Sequence, residues 1–124
     1  MMLLGIDIGS VIAKAVLLDD SFGVCGKWWV HSRGDPVGAL KDLIEKAIAG
    51  REGLVLRIGM TGNGRESFER PGEIASVNAI VSLAMGAAFE HPHANSVIEM
   101  GVTPRVGSVS KKRNKNSLRR GIYA

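Results

Sequence analysis

The segment Leu4-Gly5-Ile6-Asp7-Ile8-Gly9-Ser10, with Lys14 and the apolar run Ala15-Val16-Leu17-Leu18 behind it, constrains this chain more than any other stretch. One carboxylate sits inside an apolar segment of strand length. A Gly-Ser turn then leads into a second apolar strand, so the opening reads as a β-hairpin. Placing Asp7 among Leu4, Ile6 and Ile8 is costly unless a metal, a hydrogen-bond network or a ligand compensates the charge. Gly9 lets backbone N–H groups approach an anion closely, and successive N–H groups in a tight turn form an anion-binding nest. Asp7, Gly9 and Ser10 therefore read as a phosphate and magnesium site. The alternative is a buried hairpin whose Asp7 bonds neighbouring backbone.

Further along, Met2 to Ile8, Ile12 to Leu18 and Val24 to His31 read as three strands, with turn residues Asp19 to Gly23 between the last two. Pro36 to Ala49 carries the helical stripe Leu40, Leu43, Ile44, Ala47 and Ile48. Asp35 suits its N-cap, Pro36 its first position and Gly50 its C-terminal stop. Leu54 to Met60 is a fourth strand entering the loop Thr61-Gly62-Asn63-Gly64-Arg65-Glu66. A second helix is expected from about Glu73 to Phe89, on the period of Val77, Ile80, Val81, Ala84 and Met85, and a fifth strand from Ser96 to Met100. The order β-β-β-α-β-α-β predicts an α/β fold, a mixed sheet with helices packed on it. Strand alternation lets at most one of Trp28 and Trp29 face the core. Lys14 lies either near the phosphates as a point charge or at an edge with its amine snorkelling to water.

The net charge of +4 is unevenly placed: residues 102–124 hold seven Lys and Arg and no acid, leaving nine basic side chains against twelve Asp and Glu in residues 1–101. The body is mildly acidic, and any argument for nucleic acid rests on the tail alone. The single cysteine, Cys25, cannot form an internal disulfide and is expected to act as a small core hydrophobe. No basic n-region with a cleavable apolar segment opens the chain, and its longest apolar stretch, Ile74 to Phe89, is too short to span a bilayer. The expected location is cytoplasmic, with no membrane partner. His91-Pro92-His93 lacks a convincing third ligand and reads as a solvated loop.

Four segments together resemble one family. Leu4 to Ser10 with Lys14 and Ala15 to Asp19 resembles the first phosphate motif of the actin, hexokinase and heat-shock chaperone superfamily of ATPases. Within it, the match is best to the ATPases that activate 2-hydroxyacyl-CoA dehydratases and benzoyl-CoA reductases. Thr61-Gly62-Asn63-Gly64-Arg65 resembles that family's Thr-Gly-x-Gly-Arg loop, Val77 to Ala87 the helix that follows, and Ser96 to Gly101 the strand entering the second phosphate motif. The resemblance implies a ribonuclease H-like half of an actin-like ATPase domain over residues 1–101. It implies ATP and Mg2+ as cofactors, Gly9 and Ser10 as the phosphate cradle, and Asp7 as the magnesium-shell and catalytic residue. Lys14, Thr61, Gly62, Gly64 and Arg65 are the further nucleotide-binding candidates, although a plain strand-to-helix turn also explains the second loop. A dehydratase or reductase component is the implied partner, with a homodimer as a candidate assembly. Intact members couple ATP hydrolysis to low-potential electron transfer.

The chain departs from that pattern in several places. Val11 and Ile12 stand where the family places hydroxyls, Ala79 where it has Glu, and Leu83 where it has His. The second phosphate motif is replaced by Gly101-Val102-Thr103-Pro104-Arg105, and neither the cysteines for a [4Fe–4S] cluster nor the adenosine-binding half is present. Weak or absent ATPase activity is expected of such a chain alone. The tail, residues 102–124, is expected to be disordered. A shifted reading frame after codon 101 accounts for both the lost motif and the sudden charge. A genuine basic arm binding nucleic acid is the competing account, weakened by the lack of aromatic residues beyond Tyr123. A fragment of a sugar- or acetate-type kinase of the same superfamily is the other alternative.

Overall fold

Apolar alternation along two neighbouring strands builds the core. Strand β1 (Met2–Ile8) buries Leu4, Ile6 and Ile8, and β2 (Ile12–Leu18) buries Ala13, Ala15 and Leu17. The computed structural model describes residues 1–68 and 74–99, together with the backbone of residues 108–110 and 121–123. It divides into two units, Met1–Val77 and Asn78–Ala124.

In the first unit a five-stranded sheet runs β3-β2-β1-β4-β5, adding β3 (Val24–His31), β4 (Leu56–Thr61) and β5 (Ala75–Ser76) to the opening hairpin. The pairs β1/β2 and β2/β3 are antiparallel, whereas β1/β4 and β4/β5 are parallel. The sheet is therefore mixed, as expected. Helix α1 (Pro36–Ile48) covers one face by burying Ala39, Leu43 and Ala47, one residue per turn, against the apolar rows of β1 and β2 and against Met60. Its ends follow from local chemistry. The Gly38 N–H donates to Asp35 Oδ1 at 2.9 Å, Pro36 needs no donor at the first position, and Gly50 leaves the helix at φ +69°.

In the second unit, helix α2 (Ala79–Glu90) starts from Asn78, whose Oδ1 accepts the Ile80 N–H at 2.9 Å. Strands β6 (Ser108–Ser110) and β7 (Gly121–Tyr123) pair antiparallel within the basic segment; the rest of that segment, with the disorder expected for it, lies outside the described residues.

Several expectations need correction. The second helix begins at Ala79 rather than near Glu73, because Ala75 and Ser76 are drawn into parallel pairing with β4 and the Val77 N–H donates to the Met60 carbonyl at 2.9 Å. No strand forms over Ser96 to Ile98, and only Glu99 makes an isolated bridge; Met100 and the segment from Gly101 to Arg105 lie outside the described residues. Cys25 is exposed rather than in the core, since alternation along β3 puts it on the face of Trp29, opposite the face whose Trp28 and Val30 pack against the core. Of the tryptophans, Trp28 packs against the core and Trp29 is 64% exposed, set edge-on to His31. The two histidines at 91 and 93 are both exposed. No helix among the described residues is long and apolar enough to cross a membrane.

Candidate functional site

Because β1 sends Leu4, Ile6 and Ile8 toward α1, period-two geometry puts Leu3, Gly5 and Asp7 on the other face. Asp7 is half-buried there, at the carboxyl end of the strand. Its antiparallel partner across β2 is Lys14, and its parallel partner across β4 is Thr61. Beyond Lys14, the same row reaches Trp29. A carboxylate, an ammonium and a hydroxyl thus share one row across three strands. No ion pair closes between Asp7 and exposed Lys14. The Thr61 Oγ1 is buried and has no hydrogen-bond partner among the described residues. Buried hydroxyls are normally satisfied, so the Thr61 hydroxyl calls for a partner other than the described residues, whether water or a ligand.

The second loop closes directly on the first. Gly62 is buried at φ +96°, and a Cβ there would meet the Ile8 carbonyl and lie 2.5 Å from Asp7 Oδ1. A Cβ on Gly64 would run into the Ile8 side chain. Glycine at both positions lets the loop lie against the end of β1, so Asp7 is walled on one side by backbone. Arg65 follows in a 3-10 turn spanning Asn63–Phe68, its N–H donating to the Gly62 carbonyl at 3.4 Å. The structure places the Arg65 side chain in no bond with Asp7 or Thr61.

The β1–β2 turn is Gly9-Ser10-Val11. A Cβ on Gly9 would stand 2.5 Å from the Ile12 carbonyl, an unyielding backbone atom, so the tightness of the turn depends on that glycine. Ser10 is exposed, and neither its N–H nor that of Val11 donates to another described residue. Of the sequence candidates, the structure therefore brings together Asp7, Lys14, Thr61, Gly62 and Gly64, with Gly9 and Ser10 one step along the chain. Arg65 stands nearby without a bond.

One residue of this neighbourhood was not evident from the sequence. Ser32, only 4% exposed, donates its hydroxyl to the Gly9 carbonyl at 2.8 Å and its N–H to the Val11 carbonyl at 2.8 Å. Its own carbonyl accepts the Asp35 N–H at 2.7 Å, which ties the turn to the N-cap of α1. A serine after a strand carries no signal of this kind, because its bonding partner lies 23 residues upstream.

No family model matches the chain. A curated relative does: the (R)-2-hydroxyglutaryl-CoA dehydratase activating ATPase of Acidaminococcus fermentans is 30% identical over 101 residues, covering 79% of this chain and 38% of that protein. Component A of the same organism's dehydratase superposes with a TM-score of 0.65 at 29% identity, over 82% of this chain and 39% of that one. The activator of the 2-hydroxyisocaproyl-CoA dehydratase from Clostridium difficile, solved with bound ADPNP, shares the fold with a TM-score of 0.64 at 24% identity, over 82% of this chain and 38% of its own. The chain spans well under half the length of these proteins. It is homologous to the activating ATPases of the 2-hydroxyacyl-CoA dehydratase and benzoyl-CoA reductase family.

Proposed function

We propose that this chain supplies the phosphate-binding side of an ATP site in an activator of a 2-hydroxyacyl-CoA dehydratase or a benzoyl-CoA reductase. Its first unit is then the ribonuclease H-like half of an actin-like ATPase domain, and its location cytoplasmic. The observation that carries the reading is the row Lys14, Asp7, Thr61 with the orphaned Thr61 hydroxyl. The carboxyl ends of parallel β1 and β4 meet there, where open α/β sheets bind ligands.

The residues present fit ATP with magnesium. Mg2+ keeps most of its waters and takes one or two carboxylates, so a single half-buried Asp7 suffices as its anchor. When bound, the metal neutralises charge on the transferring phosphoryl group. The open turn at Gly9 and Ser10 offers backbone N–H groups to phosphate oxygens, and Lys14 adds a positive charge beside them. Thr61 donates its free hydroxyl, Gly62 and Gly64 hold the second loop against Asp7, and Arg65 faces a phosphate or the partner protein. An iron–sulfur cluster does not fit: the sequence has one cysteine, and no group of three His, Cys, Asp or Glu gathers among the described residues.

Residues 1–124 alone are expected to bind MgATP but to hydrolyse it weakly or not at all, since Gly101-Val102-Thr103-Pro104-Arg105 stands in place of the second phosphate motif. Isothermal titration with MgATP tests the binding. Asp7→Ala is expected to weaken it at least tenfold in the presence of Mg2+ and to change little in EDTA. Equal affinity of wild type and Asp7→Ala at saturating Mg2+ would remove the proposed metal anchor.

A further inference from the structure

We infer that Ser32 is the positioning residue of the Gly9-Ser10 turn, holding the Gly9–Ser10 peptide so that the Ser10 N–H faces outward to an incoming phosphate. The inference rests on reading that turn as a phosphate cradle and adds the device that orients it. A trans peptide points its carbonyl and the following N–H in opposite directions. Gly9 O and Ser10 N–H belong to one such plane. The Ser32 hydroxyl, inside the fold at 4% exposure, takes the Gly9 carbonyl inward at 2.8 Å. The Ser10 N–H is thereby turned away from the core, where no other described residue receives it.

A glycine-containing turn has more backbone freedom than any other, so it needs such an anchor to present one conformation. Ser32 supplies two points of attachment, since its own N–H holds the Val11 carbonyl on the far side of Ser10. Gly9 and Val11 are pinned while Ser10 between them stays exposed. Arg33 at φ +48° and Gly34 at φ +73° then turn the chain so that Asp35 bonds the Ser32 carbonyl and caps α1. The turn is thus referenced to a rigid helix rather than left to the hairpin alone. Donors fixed in advance bind an anion without the cost of ordering them.

The test is MgATP titration of the full chain, read by calorimetry and by the Ser10 and Gly62 amide resonances. Ser32→Ala is expected to weaken MgATP about fivefold to tenfold and to shrink the ligand-induced shift of Ser10 while sparing that of Gly62. Ser32→Thr, which keeps the hydroxyl, restores affinity to within twofold. Leu17→Val, which loosens the core near the end of β2 farthest from the turn, leaves affinity within twofold and so separates positioning from general loss of stability. Wild-type affinity and an unaltered Ser10 response in Ser32→Ala would overturn the inference alone. Absence of MgATP binding by the wild type would instead overturn the cradle reading, and this inference with it.

Discussion

At Gly62 the backbone conformation and the packing demand the same residue. Its φ of +96° lies outside the range L side chains favour, and a Cβ would meet the Ile8 carbonyl and the Asp7 carboxylate together. Gly34 provides an internal comparison, since its φ of +73° is also positive but a Cβ there would meet nothing within 4 Å. Gly34→Ala isolates the conformational cost, about 1 kcal/mol. Gly62→Ala adds steric displacement of the end of β1 and is expected to cost about 2 kcal/mol or more. Urea denaturation measures both. Equal losses would mean that the close approach of the second loop to Asp7 contributes nothing. The same substitution should also abolish MgATP binding, because it pushes on the Asp7 carboxylate itself.

Helix α1 holds the hairpin face in place, and Leu43 is its centre, with no exposed surface. Leu43→Ala should cost about 2–5 kcal/mol, the spread depending on how far the surroundings collapse into the cavity. Asp35→Ala, which removes only the cap to Gly38, should cost about 1 kcal/mol. Thermal or chemical unfolding ranks the two, and a larger loss at Asp35 would contradict this account of the helix. Elements of this kind were legible in the sequence because their determinants are local. The first three strands and the start of α1 fall at the expected residues, set by alternation and by the Asp-Pro cap. Features set by distant partners were not legible. Ala75 and Ser76 belong to an apolar stretch that suits a helix equally well, and only pairing with β4 decides otherwise. The opposition of Asp7 and Lys14 follows from the hairpin, but that of Asp7 and Thr61 depends on a parallel pairing formed across α1. Ser32 is the extreme case, with a role held entirely by residues 23 and 21 positions before it. The exposure of Cys25 has a related cause: its burial depends on which face of β3 is covered, and α1 packs on the other one.

For the molecule as a whole, the proposed site and the excess positive charge lie in different parts of the chain. Every group assigned to the phosphate site lies in residues 1–77, whereas seven of the sixteen basic side chains lie in residues 102–124. Those seven charges attract any polyanion, ATP included, but through long-range electrostatics that salt screens within about 8 Å at physiological ionic strength. The binding proposed at the Asp7 row would depend instead on a metal, on oriented N–H groups and on short contacts, which salt weakens far less. A chain ending at Gly101 should therefore bind MgATP within twofold of the full chain at about 0.15 M salt, and fall behind it only at low salt. With single-stranded RNA as the probe, any retention by the full chain should be steeply salt-dependent and sequence-independent, and absent from the shortened chain. If the shortened chain folds, by circular dichroism, yet loses MgATP binding at 0.15 M salt, then residues 102–124 contribute directly to the nucleotide site. The assignment of that site to the first unit would then be wrong.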